Sequence, residues 1–201
     1  PITHDYLKMM NNATFGSEEG FITVGEMSAT TIDNCILYTA PERKELSMAF
    51  NFHHLKVDYK DGQKWTIKDF DFEELKRLFH TWGEEMSVGN GWNALFYNNH
   101  DQPRALNRFV DIENFRNEGA TMLAASIHLS RGTPYIYMGE EIGMIDPDYN
   151  SMDDYVDVES INAYQMLRDQ GKSPEQAFKI IQAKSRDNSR TPMQWDASEN
   201  A

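Results

Sequence analysis

The sequence has 201 residues, of which 40% are hydrophobic and 12% aromatic, and its formal net charge at pH 7 is −13. This size and apolar content favour a globular α/β protein over a disordered one, with room for one sizeable core or part of a larger one. Because the net charge is negative, we expect no nucleic-acid partner and no anionic membrane surface as a partner. The sequence has no run of about 18 apolar residues, so we expect no membrane span. The single cysteine, Cys35, leaves no internal disulfide and is compatible with a cytoplasmic location.

Taken in chain order, alternating or continuous apolar runs predict four strands, at about 21–27, 46–54, 92–99 and 133–138. Apolar residues at spacings of three and four predict the helices that separate them, at about 4–12, 31–39, 72–86 and 112–131. Residues 144–201 are predicted to form a long loop and two further helices, near 157–169 and 174–183. This alternation predicts an α/β fold with parallel strands joined by crossovers.

Cap signals fix several predicted helix ends. Asp71 and Ser173 are expected to be N-caps, and Ser28 and Thr30 are offered as caps for the helix near 31–39. In the helix at 112–131 we expect four apolar side chains to face inward: Phe115, Met122, Leu123 and Ile127.

Two predicted strands end in acidic residues. Glu26 lies at the end of the first strand. Asp101 lies in the polar cluster that follows the third strand, where Pro103 prevents the strand from continuing. Glycoside cleavage needs a proton donor for the leaving oxygen and negative charge beside an oxocarbenium-like transition state. The two strand ends are therefore a candidate site, and the alternative for the Asp101 cluster is a strand followed by a solvated turn.

Four segments, in order, resemble motifs of the α-amylase family of glycoside hydrolases: 23–27 (TVGEM), 98–104 (NNHDQPR), 132–144 (GTPYIYMGEEIGM) and 185–195 (SRDNSRTPMQW). Together they are similar to the family's branch of oligo-1,6-glucosidases and trehalose-6-phosphate hydrolases. The resemblance implies retaining hydrolysis of α-glucosides, without a cofactor, on a (β/α)8 TIM-type barrel. The chain would then be the C-terminal half of that barrel, strands five to eight with their helices.

The resemblance also implies roles by position. Glu26 would be the general acid/base and Asp101 the transition-state stabiliser, while His100 and Asn99 would bind the sugar. Arg104 would clamp the carboxylates or the substrate, although it could equally form a structural salt bridge, as could Arg190.

The family's nucleophile lies in a Gly-Phe-Arg-x-Asp type motif upstream of the acid/base, and nothing in residues 1–20 matches it. We therefore expect the nucleophile to lie outside this chain and the 201 residues alone to be inactive. The missing barrel half, or a second copy, is expected to cover the sheet edges.

Substrate choice depends on residues 50–59, which resemble the trehalose-6-phosphate hydrolases. Lys56, with Lys60, Lys64, His53 and His54, forms a basic and imidazole cluster that would suit a sugar phosphate. The alternative is a solvated surface loop, which is favoured for Lys60 and Lys64. A disaccharide phosphate is therefore the expected small-molecule partner, and a plain disaccharide or isomalto-oligosaccharide is the alternative. A non-catalytic sugar-binding member of the same fold is a second alternative. No metal site is expected, because the acidic run 146–157 lacks the spacing of a calcium loop.

Overall fold

A sheet of four parallel strands, in the order β1-β2-β3-β4, is the central feature of the computed structural model, which describes residues 2–198. The strands are β1 (Val24–Met27), β2 (Met48–Asn51), β3 (Asn93–Leu95) and β4 (Thr133–Pro134). Each lies inside its predicted range and is shorter, although ladder bonding continues past β4, where the Tyr135 N–H donates to the Leu95 carbonyl at 2.8 Å. The α/β class with a parallel sheet is confirmed.

The helices alternate with the strands along the chain. They are α1 (Ile2–Ala13), α2 (Ile32–Thr39), α3 (Phe72–Val88), α4 (Ala105–Phe109), α5 (Ile112–His128), α6 (Val158–Asp169) and α7 (Pro174–Lys184). Short 3-10 turns cover Pro41–Arg43, His53–Lys56, Glu140–Ile142, Met152–Asp154 and Arg186–Ser189. Within residues 2–198, no helix combines the length and the apolar character needed to cross a bilayer.

The chain divides into two compact units. Unit 1 comprises Pro1–Val57, Asp71–Phe96 and Ser126–Tyr135, and it contains the whole sheet. Unit 2 comprises Asp58–Phe70, Tyr97–Ala125 and Ile136–Ala201.

Both faces of the unit 1 sheet are packed. Because side chains alternate along a strand, Phe50 and Ala49 point to opposite faces. Phe50 meets Phe96 and Tyr135 edge to face, at ring-centroid distances of 5.0 and 4.7 Å. On the other face, Ala49 packs with Cys35 of α2 and with α3. Cys35 is fully buried, as its helical pattern predicts.

Unit 2 is built on α6 and α7. Their contact buries Ala163, Leu167, Ala177 and Ile181, and Tyr155 joins the same cluster. Ser173 caps α7, with Pro174 at its first turn, as the sequence predicts. Asp71 likewise caps α3, by accepting from the Glu74 N–H.

Two sequence predictions about helices are wrong in detail. The N-cap of α2 is Thr31 rather than Ser28 or Thr30, and its side chain accepts from the Asn34 N–H. In α5, Phe115 and Met122 are 57% and 51% exposed, whereas Leu123 and Ile127 are buried. The backbone is non-helical at Phe115 (φ −136°, ψ 32°), and adjacent residues such as 122 and 123 differ by about 100° around a helix, so the four cannot share one face.

Candidate active site

Glu26 is the third residue of β1 and is exposed. Its register partner is Phe50, and Met27 pairs with Asn51, where β2 ends. Glu26 therefore lies at the carboxyl edge of a parallel sheet, which is where side chains for chemistry collect in α/β folds. Gly25 has no room for a side chain, because an added Cβ would come within 2.7 Å of a methyl carbon of Leu46.

The loop after Glu26 is held by the 3-10 turn that follows β2. His53 donates from Nε2 to the Thr30 carbonyl at 2.8 Å, and its ring stacks on Trp82. Lys56 donates from Nζ to the Ser28 carbonyl at 3.1 Å and is exposed. An ammonium has three N–H donors, so this contact leaves Lys56 able to bind a further acceptor.

The members of the predicted basic cluster differ in their contacts. His54 is buried and donates to the Phe96 carbonyl at 2.7 Å, which makes it a core residue of unit 1. Lys64 belongs to unit 2, where its Nζ contacts both carboxylate oxygens of Glu159, at 3.0 and 2.9 Å. Lys56 lies in the 3-10 turn after β2, and its Nζ contacts the loop that follows β1.

In unit 2, Asp101 is held by two guanidinium groups. Its Oδ1 accepts from Nη1 of Arg186 at 3.3 Å and from Nη2 of Arg190 at 3.0 Å. Its Oδ2 lies 3.3 Å from Nε2 of His100, whose side chain is 63% exposed. Asn99 accepts the Asp101 N–H through its side-chain oxygen at 2.9 Å, so it positions the backbone of the turn. The structure thus brings Asn99, His100 and Asp101 together in one polar group.

Arg186 also contacts a second acid that the sequence did not single out. Its Nη2 donates to Oδ1 of Asp157 at 2.8 Å. Burial alone would raise the pKa of Asp157, but the hydrogen bond and the charge of Arg186 outweigh it, and the pKa is lowered. The sequence prediction placed Arg186 in a loop and Asp157 at the start of the helix near 157–169, without a role for either. The position of Arg186 within the 185–195 motif was the signal that could have found it.

Arg104 is a core residue of unit 2, with only 1% of its surface exposed. Its guanidinium donates to the carbonyls of Met138 at 2.6 Å and Ser189 at 3.4 Å. Burial lowers the pKa of Arg104. This placement favours a structural role over contact with a substrate.

Beside it, Asp146 accepts the Arg104 N–H at 2.7 Å and the side chain of Asn188 at 3.1 Å. Burial raises the pKa of Asp146 to about 7 against these two hydrogen bonds. The carboxyl group therefore changes charge near neutral pH.

A second ionic cluster in unit 2 joins Asp58, Arg108 and Lys184, whose side chains are 5%, 3% and 6% exposed. Arg108 binds both carboxylate oxygens, at 2.8 and 3.1 Å, and Lys184 donates to Oδ2 at 2.7 Å. Its members are scattered along the chain, so no sequence pattern marks it. Among the described residues, no group of three or more His, Cys, Asp or Glu side chains could hold a metal ion.

Comparison with known proteins bears on this site. All of residues 1–201 match the alpha-amylase family's catalytic domain. The chain belongs to the alpha-amylase family. Its similarity within the family is high: it is 52% identical over 200 residues to a trehalose-6-phosphate hydrolase of Bacillus subtilis (strain 168). It is 46% identical over 202 residues to an oligo-1,6-glucosidase of Parageobacillus thermoglucosidasius.

A solved structure of an alpha-amylase family relative matches the fold. The Bacillus licheniformis trehalose-6-phosphate hydrolase superimposes with a TM-score of 0.94 at 52% identity, over 100% of this chain and 36% of that one. The two curated relatives are likewise covered over 36% of their length and match 100% of this chain. The chain therefore spans about a third of the proteins it matches.

Proposed function

We propose that the protein containing this chain hydrolyses α-glucosidic bonds by a retaining mechanism, with trehalose 6-phosphate as its substrate and glucose and glucose 6-phosphate as products. One observation carries the proposal: an exposed carboxylate, Glu26, lies one residue before the end of β1, and the loop after the strand is bonded at Ser28 by the exposed Lys56. An acid and a cation on consecutive segments suit a substrate that has an acetal oxygen to protonate and a phosphate to bind.

Glu26 is the general acid/base: it protonates the leaving sugar oxygen and then removes a proton from water. Asp101 is the transition-state stabiliser, and it binds sugar hydroxyls as the ring flattens toward the oxocarbenium ion. His100 is a further sugar contact, supported by its exposure beside Oδ2 of Asp101. Asn99 contributes by holding the Asp101 backbone, and Arg104 supports the loop from the core.

The nucleophile of this mechanism would come from an upstream strand. We propose that residues 1–201 form part of a catalytic barrel and that the four parallel strands are strands five to eight of an eight-stranded one. The motif order and the strand order support this, since a (β/α)8 barrel is a parallel sheet whose neighbours follow the chain. Cytoplasmic location stays a prediction that rests on the single cysteine.

The test compares substrates in the full-length protein. Lys56→Met should lower kcat/KM for trehalose 6-phosphate about 10- to 100-fold, since a charge-assisted bond to phosphate is worth about 1.5–3 kcal/mol. The same variant should leave kcat/KM for trehalose and isomaltose within about twofold, because neither carries the phosphate. Lys60→Met is the matched control, since Lys60 is also exposed and lies in a turn of unit 2.

Equal loss on phosphorylated and plain sugars would show that Lys56 supports the fold and does not select phosphate. A wild-type protein that prefers isomaltose over trehalose 6-phosphate would instead assign the oligo-1,6-glucosidase activity, to which the 46% identity also points. Sugar binding without turnover by either substrate would assign a non-catalytic role.

A further inference from the structure

We propose that Arg186 is a positioning residue that sets the orientation of the Asp101 carboxylate by bridging it to Asp157. This inference rests on the proposed function, because it assigns a role toward the stabiliser of that reaction. The bridge is a single guanidinium: Nη1 lies 3.3 Å from Oδ1 of Asp101, and Nη2 lies 2.8 Å from Oδ1 of Asp157. Its Nε lies 3.7 Å from a carboxylate oxygen of Glu159, so all three nitrogens face acids.

The two carboxylate oxygens of Asp101 have different contacts. Both arginine contacts, from Arg186 and Arg190, fall on Oδ1. Oδ2 is on the side of the exposed His100. A carboxylate fixed through one oxygen presents the other in a constant direction, which a sugar hydroxyl needs if the bond is to strengthen in the transition state.

Asp157 is a rigid anchor for this bridge. Its side chain is 4% exposed, and it caps α6 by accepting from the Ser160 N–H. Its own N–H donates to Oδ2 of Asp187 at 2.9 Å, and so does the N–H of Val156. The loop that carries Arg186 is thus bonded twice to the loop that carries Asp157, which keeps the guanidinium in place.

Arg190 differs from Arg186 in this respect. Its nearest contact with Asp157 is an ion pair at 3.8 Å, and its side chain is 36% exposed. Its Nε donates a hydrogen bond to the carbonyl of His100 at 2.8 Å. Arg190 therefore fastens the His100–Asp101 segment itself, whereas Arg186 connects the carboxylate to a buried anchor.

The test uses the full-length protein and three variants. Arg186→Met should lower kcat about 100-fold, because a displacement of about 1 Å in a reacting group costs that much. KM should change less than threefold, since the contact strengthens mainly in the transition state. Arg186→Lys should recover part of kcat but stay about tenfold below wild type, because one ammonium cannot hold two carboxylates in a fixed fork. Arg77→Met is the control: Arg77 pairs with Glu74 on the exposed surface of α3, and its loss should leave kcat unchanged.

Coupling separates positioning from general support of the fold. In an Asp101→Asn background, Arg186→Met should lower kcat no further. Three results would each overturn the bridge. They are a wild-type kcat in Arg186→Met, a full recovery of kcat in Arg186→Lys, and a loss of kcat by Arg186→Met that is as large in the Asp101→Asn background as in the wild type. Failure of the proposed function can be told apart from failure of the bridge. If the proposed function is wrong, Glu26→Gln keeps the wild-type kcat, whatever the Arg186 variants do.

Discussion

Replacing Asp58 by Asn removes the carboxylate that joins Arg108 and Lys184 in a buried ionic cluster. The carboxylate accepts two bonds from Arg108 and one from Lys184, at distances between 2.7 and 3.1 Å. Burial raises the pKa of Asp58, but the two cations outweigh it, and the pKa is lowered. In Asp58→Asn the ammonium of Lys184, whose side chain is 6% exposed, loses its carboxylate partner, and Arg108 loses its two-point contact with that carboxylate.

The expected cost is about 3–5 kcal/mol, the usual effect of leaving a buried charge without its partner. Lys184→Met should cost less than about 2 kcal/mol, because the Asp58–Arg108 pair stays neutral and the buried ammonium is removed. The pH dependence has a defined sign. A lowered pKa means that the stabilisation by Asp58 is present above its unfolded-state pKa of about 3.9 and is lost as pH falls through the lower folded-state value.

The assay is native-state hydrogen exchange of the full-length protein, followed by mass spectrometry of peptides that cover α7. Exchange reports the free energy of local opening, so the other parts of the protein do not obscure the result. We expect faster exchange in Asp58→Asn than in Lys184→Met. If both variants opened with the same free energy, or if Asp58→Asn lay within about 1 kcal/mol of wild type, the cluster would not stabilise unit 2 electrostatically.

Two further predictions concern single residues. The pKa of Asp146 is about 7 in the folded state and about 3.9 in the unfolded state, so between these pH values the folded state binds more protons. The free energy of unfolding should therefore fall as pH rises from about 4 to about 7, by at most about 4 kcal/mol. Asp146→Asn should flatten this slope in urea unfolding measured at pH 5 and pH 7, and an unchanged slope would assign the effect to another group. Gly139→Ala should cost more than about 2 kcal/mol, because φ is +85° and the new Cβ would collide with Met144. Gly20→Ala is the control, with φ +83° but open space around it, and should cost about 1 kcal/mol; equal thermal shifts would refute the collision.

The parallel sheet was predictable because each strand leaves a local pattern. The apolar runs around Val24, Phe50, Ala94 and Thr133 are short, and helical periodicity separates them. Caps were predictable where side chain and spacing agree, as for Asp71. The α2 cap was missed because Ser28, Thr30 and Thr31 all have suitable side chains, and the side-chain types alone do not show which of them has the extended backbone of a cap, as Thr31 does (φ −79°, ψ 161°).

The candidate site was less accessible to sequence reasoning, because its partners are distant in the chain. The motif around Asp101 pointed to the carboxylate, but its partners Arg186 and Arg190 lie more than eighty positions away. Arg104 shows a second limit of sequence reasoning. Its place in a polar motif left a substrate contact and a structural salt bridge equally open, and its 1% exposure in the structure favours the structural role. The burial of a long charged side chain cannot be predicted from its local sequence, because it depends on packing against segments that are distant in the chain.

The leaving-group dependence of a Glu26→Ala variant of the full-length protein tests directly whether Glu26 is the general acid/base. If Glu26 is the general acid/base, kcat/KM for the disaccharide phosphate should fall by about 10²–10⁴, because its leaving sugar must be protonated. For 4-nitrophenyl α-glucoside, whose leaving group needs no proton, kcat/KM should stay near wild type, and azide should restore kcat by replacing the water that Glu26 activates. Equal losses on both substrates, with no rescue by azide, would contradict the assignment of Glu26 and the mechanism built on it.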